Sequence, residues 1–121
     1  QHPIPSRRLI VGKLTPDGFD LAKPTIEQFA RFISMANTIV WNGPMGKYED
    51  AKYRSGTRSI ARLVSAGRAY SIVGGGDTEA ALTAMKLEKG IKFISSGGGA
   101  MLDYIAFGTL PGIEAIKNQQ A

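Results

Sequence analysis

The sequence predicts an α/β protein: a parallel sheet with crossover helices in a Rossmann-like three-layer arrangement, read as an incomplete nucleotide-binding domain. Two observations predict it. A unit of strand, turn-forming loop and helix recurs three times after residue 37, and such repeats give parallel strands joined by crossover helices, in a sheet covered on both faces. The three loops, at 42–46, 74–78 and 95–99, all leave the carboxyl ends of strands, the edge at which open α/β sheets bind ligands. With 121 residues and 43% apolar content the chain can build one ordinary core and has no room for a second independent domain.

Residues 1–24 are rich in breakers (Pro3, Pro5, Gly12, Pro16, Gly18, Pro24) and read as an irregular, extended segment. The half-domain proper is expected over 25–121. Thr25 fits a helix N-cap, and Ile26, Phe29, Ala30, Ile33 and either Met35 or Ala36 follow at helical spacing. Thr38-Ile39-Val40-Trp41 is β-branched and aromatic and ends in the turn residues Asn42-Gly43-Pro44, so it reads as a buried strand. A helix is expected over 53–66, with Ile60, Ala61, Leu63 and Val64 as its stripe and Gly67 as its stop. A strand at 69–73 runs into Gly74-Gly75-Gly76-Asp77-Thr78, with helix over 79–86. The last unit is a strand at 92–94, the loop Ser95-Ser96-Gly97-Gly98-Gly99, and helix over 100–107.

The formal charge of +5 biases the surface toward anions in general. The basic residues are dispersed among acids and form no nucleic-acid-binding arm, so a nucleic-acid partner is not expected. The absence of cysteine excludes disulfides, a thiol nucleophile and zinc–thiolate sites. His2, in a terminus prone to fraying, is discounted as a catalyst. Leu9-Ile10-Val11 is too short for a signal-peptide core, and no run approaches the ~20 apolar residues that span a bilayer. No membrane partner and a cytoplasmic location are expected. The start at Gln1 points to processing or to a missing upstream portion.

Three glycines between a strand and a helix let the backbone approach a ligand and leave amides and the positive helix end free for phosphate. One such loop is equally explained by tight strand–helix packing; two at one sheet edge favour an anion site. Neither is a P-loop, and Glu79 stands where a dinucleotide fingerprint needs glycine. Asp77 reads either as a residue favourable to the helix dipole or, beside phosphate, as a ligand to an intervening magnesium ion. Thr78 then offers its hydroxyl or amide to a phosphate oxygen. The bare amides of Gly97, Gly98 and Gly99 suit charge developing during phosphoryl transfer. Glu49 reads as a ribose hydrogen-bond acceptor or as a solvated surface acid. Trp41 and Tyr48 read as base-stacking rings or as packing, Trp41 more as core.

Four motifs taken together resemble the phosphoglycerate kinase family: Val40-Trp41-Asn42-Gly43-Pro44-Met45-Gly46 followed by Glu49, then Gly74-Gly75-Gly76-Asp77-Thr78, then Ser95-Ser96-Gly97-Gly98-Gly99-Ala100, then Leu110-Pro111-Gly112-Ile113. Their order and approximate spacing are those of the family's carboxy-terminal domain, which binds Mg-ADP or Mg-ATP. The resemblance implies that Asp77 is the magnesium-site aspartate and that Gly75, Gly76 and Thr78 contact phosphate. It implies that Glu49 binds ribose, that Asn42 and Pro44 line the nucleotide pocket, and that Gly97, Gly98 and Gly99 face the transferring phosphoryl group. The departures are Lys47-Tyr48 for the usual Val-Phe, Ser96 for Thr, and a scrambled motif at Asp20-Leu21-Ala22-Lys23-Pro24-Thr25.

The implied activity is phosphoryl transfer between 1,3-bisphosphoglycerate and ADP, giving 3-phosphoglycerate and ATP, with this chain supplying the Mg-nucleotide portion. No counterpart of the family's amino-terminal substrate domain, its basic cluster or its catalytic arginine is present. The isolated chain, a fragment or split subunit, is therefore expected to be inactive and to meet the glycerate substrates only beside that domain. The alternative expectation is a non-catalytic nucleotide-binding or interaction module derived from such a kinase.

Overall fold

The computed structural model describes residues 8–95. The expected glycine loop at 96–99, helix over 100–107 and motif at 110–113 lie outside the described residues. Three parallel strands form one sheet: β1 (Thr38–Asn42), β2 (Tyr70–Gly74) and β3 (Phe93–Ser95), in the spatial order β1-β2-β3. Asn42 lies opposite Gly74, and Gly74 opposite Ser95, so the carboxyl ends of all three strands are level. The α/β class and parallel sheet expected from the repeating unit are what the chain adopts.

The helices are α1 (Lys23–Met35), α2 (Ser55–Ala66) and α3 (Gly76–Ala84). Two start earlier than the sequence predicts. Pro24 sits in the first turn of α1, where its missing N–H costs nothing. Thr25 is thus inside the helix rather than its cap: it is buried, and its hydroxyl accepts the Lys13 N–H at 2.9 Å. Helix α3 begins within the glycine run because Gly75, at φ +97°, makes the whole turn from strand to helix. Before α2 a 3-10 turn at Ala51–Tyr53 takes up Tyr53, the first residue of the expected helix, and α2 itself starts at Ser55.

The core is a single cluster of Leu21, Trp41, Ile60, Ala61, Val64, Val73, Leu82 and Ile91. Leu82, Val64 and Val73 are essentially inaccessible, and burying each such side chain contributes about 1.5–3 kcal/mol. Trp41 and Val73 point to this side by strand alternation, and α1, α2 and α3 all contribute to the cluster or pack against it. The opposite sheet face carries Val40, Tyr70 and Phe93, each 44–55% exposed. Two-sided coverage is therefore realised on one side only among the described residues. The cause is topological. In the order β1-β2-β3, right-handed crossovers place successive helices on the same face, and covering the other face requires a reversal of strand order.

Residues 8–22 are a strap held against this core. Leu14 and Leu21 form an antiparallel bridge, and Leu21 joins the core. At the turn between them the Thr15 hydroxyl donates to Asp17 at 2.6 Å and the Phe19 N–H donates to the same oxygen. These bonds, the Thr15 one foremost, hold the Asp17 carboxyl below its usual pKa. Asp20 is 5% exposed, and its carboxylate accepts from the N–H groups of Leu21 and Gly56 at 2.8–3.2 Å. Gly56 opens α2, so a buried anion sits against that helix's positive end and satisfies one of its free amides.

Candidate functional site

The level strand ends send two described loops toward one region. A cleft of about 520 Å³ there is lined by Pro44, Tyr48 and Glu49 from the loop after β1 and by Asp77 and Ala80 from α3. Residues as far apart in sequence as Pro44 and Ala80 are thus neighbours because Asn42 and Gly74 are partners in the sheet. Glu49 and Asp77 are both exposed.

The β1 loop is held at nearly every residue. The Trp41 indole N–H donates to the Gly43 carbonyl at 2.7 Å, and the Gly43 N–H donates to the Thr78 hydroxyl at 2.9 Å. The Thr57 hydroxyl accepts the Met45 N–H at 2.8 Å and donates to the Met45 carbonyl at 3.0 Å. The Lys47 N–H donates to Phe19 in the strap at 2.8 Å. The Arg54 guanidinium reaches the carbonyls of Tyr48 and Glu49. Each tie satisfies a backbone group that would otherwise compete for water or ligand, so the loop is preorganised.

At the second loop, Gly75 has a positive φ, which is what favours glycine there; a Cβ would stand 3.0 Å from the Asn42 side-chain oxygen, the tip of an exposed side chain that can swing aside. The Gly75 N–H donates to the Ser95 carbonyl at 3.2 Å, which joins this turn to the end of β3. Thr78 is fully buried, and its hydroxyl accepts the Gly43 N–H, which ties the two loops together. Helical spacing carries the signal for this: Thr78, Ala81 and Leu82 share the inward face of α3, while Asp77 and Ala80 share the face that lines the cleft. What α3 offers to the cleft is its exposed start, Gly76 and Asp77, whose N–H groups precede the first intrahelical bond from Glu79 to Gly75.

Sequence reasoning singled out Asn42, Pro44, Glu49, Gly75, Gly76, Asp77 and Thr78, together with Gly97, Gly98 and Gly99. Pro44, Glu49 and Asp77 line the cleft together, Asn42 is exposed at the end of β1 with its amide oxygen over Gly75, and Gly76 opens α3 beside Asp77. Gly97, Gly98 and Gly99 lie outside the described residues. Ala80, Thr57 and Arg54 were missed. Ala80 was discoverable from its i, i+3 relation to Asp77, whereas Thr57 and Arg54 act on backbone groups of the preceding loop, at Met45 and at Tyr48 and Glu49, contacts that leave no pattern in sequence. Among the described residues no three His, Cys, Asp or Glu side chains gather as a metal cage. A single exposed carboxylate beside free helix amides instead suits a cation that shares its coordination with phosphate and water, as magnesium does.

Three parallel strands with helices packed on them, and glycine-rich turns at a level carboxyl edge, define the Rossmann-like α/β class. A family model for phosphoglycerate kinase matches residues 10–107, and the chain belongs to the phosphoglycerate kinase family. It is 45% identical over 107 residues to phosphoglycerate kinase of Mycobacterium leprae, covering 85% of this chain and 26% of that relative. It is 42% identical over 116 residues to the phosphoglycerate kinase of Salinispora tropica, covering 95% and 27%. Among solved structures, phosphoglycerate kinase from Coxiella burnetii superposes with a TM-score of 0.73 at 44% identity, over 79% of this chain and 25% of that one. The enzyme from Pyrococcus horikoshii gives 0.69 at 35% identity, over 82% and 24%. The chain spans about a quarter of the length of these relatives.

Proposed function

We propose that this chain supplies the Mg-nucleotide-binding portion of a phosphoglycerate kinase, which transfers a phosphoryl group between 1,3-bisphosphoglycerate and ADP. The observation that carries the reading is the convergence of Pro44 and Glu49 with Asp77 and the exposed start of α3 around one cleft. In this reading the ADP phosphates meet Gly75, Gly76 and Thr78 and the amide of Asp77 at the start of α3, where backbone N–H groups and the helix dipole favour anions. Glu49 accepts hydrogen bonds from the ribose hydroxyls, and Pro44 and Tyr48 form the wall beside them. Asp77 is the residue that would hold magnesium, which when bound neutralises phosphate charge. Gly97, Gly98 and Gly99 are proposed to face the transferring phosphoryl group. The glycerate substrates belong to a separate amino-terminal domain, and the isolated chain binds nucleotide without turning it over. A cytoplasmic location accords with this chemistry, and no helix among the described residues is long and apolar enough to cross a membrane.

A second reading, a non-catalytic nucleotide-binding or interaction module derived from the kinase, is favoured by the exposed sheet face at Val40, Tyr70 and Phe93. Calorimetric titration with ADP, with and without magnesium, tests both. Magnesium-dependent binding supports the nucleotide site. Indifference to ADP together with self-association supports an interaction module.

A further inference from the structure

Arg54 immediately precedes α2 and is not among the residues lining the cleft. Its side chain nevertheless reaches the loop that does. The Nε–H donates to the Tyr48 carbonyl at 2.8 Å, an Nη2–H donates to the Glu49 carbonyl at 3.2 Å, and the guanidinium carbon lies 5.1 Å from the centroid of the Tyr48 ring. Those two carbonyls belong to the two peptide planes that flank the Glu49 Cα. Holding both planes fixes φ and ψ of Glu49, and hence the direction of its Cα–Cβ bond. The cation over the ring holds Tyr48 as well.

The fork is itself anchored. The Arg54 carbonyl accepts the Arg58 N–H at 2.9 Å inside α2, Gly56 is held by buried Asp20, and Thr57 is held by Met45. A planar guanidinium with several donors can grip consecutive carbonyls; an ammonium on a flexible stem cannot hold both in one geometry.

We propose that Arg54 is a positioning residue for nucleotide recognition: it aims the Glu49 carboxylate into the cleft by clamping the peptide planes on either side of it. The inference rests on the nucleotide reading above and adds the device that orients its ribose contact. Arg54 acts on the ribose side, because both carbonyls it holds belong to the loop after β1.

Calorimetry on the full chain tests this with two probes, magnesium–ADP and magnesium–pyrophosphate, the second having phosphates and no ribose. Arg54→Met is expected to weaken magnesium–ADP roughly tenfold, the loss of two hydrogen bonds from a charged donor, and to leave magnesium–pyrophosphate unchanged. In an Glu49→Gln background the same substitution should cost little more, because its effect passes through Glu49. Arg54→Lys keeps the charge over the ring but lacks the fork, and should still lose at least about threefold toward ADP. Wild-type ADP affinity in both Arg54 variants overturns the inference alone, as do losses that add in full to those of Glu49→Gln. A wild-type chain that takes neither probe overturns the nucleotide reading and this inference with it.

Discussion

Replacing Gly46 with alanine is expected to lower stability by about 3 kcal/mol, a large share of the ~5–15 kcal/mol that holds a domain together. Gly46 has φ +60°, and a Cβ there would run into the carbonyl oxygen of Phe19 and stand 2.8 Å from the Asp20 Cα. Both obstacles are backbone, so neither can swing aside as a side-chain tip would. Relief requires the strap to lift, breaking the bond from Lys47 N–H to Phe19 and disturbing the Asp20 carboxylate at the start of α2. Gly43→Ala is the control. Its φ is +97°, but a Cβ there meets nothing within 4 Å, so only the conformational penalty of about 1 kcal/mol applies. Urea unfolding of the two variants measures the difference; equal midpoints would mean that the strap does not brace the loop.

The second large effect concerns binding and carries a change of sign. Asp77→Asn keeps side-chain size and leaves α3 intact while removing the charge. With magnesium present, the variant should bind ADP at least about tenfold more weakly, because the cation loses its protein ligand. Without magnesium it should bind ADP slightly better than wild type, since a carboxylate no longer faces the phosphates. Asp77 is exposed, which keeps this second change small. Parallel titrations read both. An asparagine variant equally weakened with and without metal would show that Asp77 serves the helix rather than a cation.

Much of this architecture was legible before any coordinates. Thr38-Ile39-Val40-Trp41 could hardly be anything but a strand, and Ile60, Ala61 and Val64 marked the face that α2 buries. The glycine run announced a sharp strand-to-helix turn, although which glycine would take positive φ was not readable, and only Gly75 of the three does. Strand order was also hidden, because pairing is a non-local choice, and with it the placement of the helices on one face among the described residues. Asp20 looked like part of a degraded motif in an irregular segment. Its burial against Gly56, 36 positions on, follows from how the strap crosses α2. At the site, Asp77 and Thr78 are adjacent in sequence, and because a helix turns about 100° per residue the Asp77 side chain reaches the cleft while that of Thr78 enters the core.

The most direct test of the convergence is NMR mapping of magnesium–ADP on the isotopically labelled chain. The two-loop cleft predicts shifts confined to the backbone amides of Tyr48, Glu49, Gly76 and Asp77 and their neighbours, with Tyr70 and Phe93 on the bare sheet face unmoved. Shifts centred on that bare face, or on only one of the two loops, would contradict it.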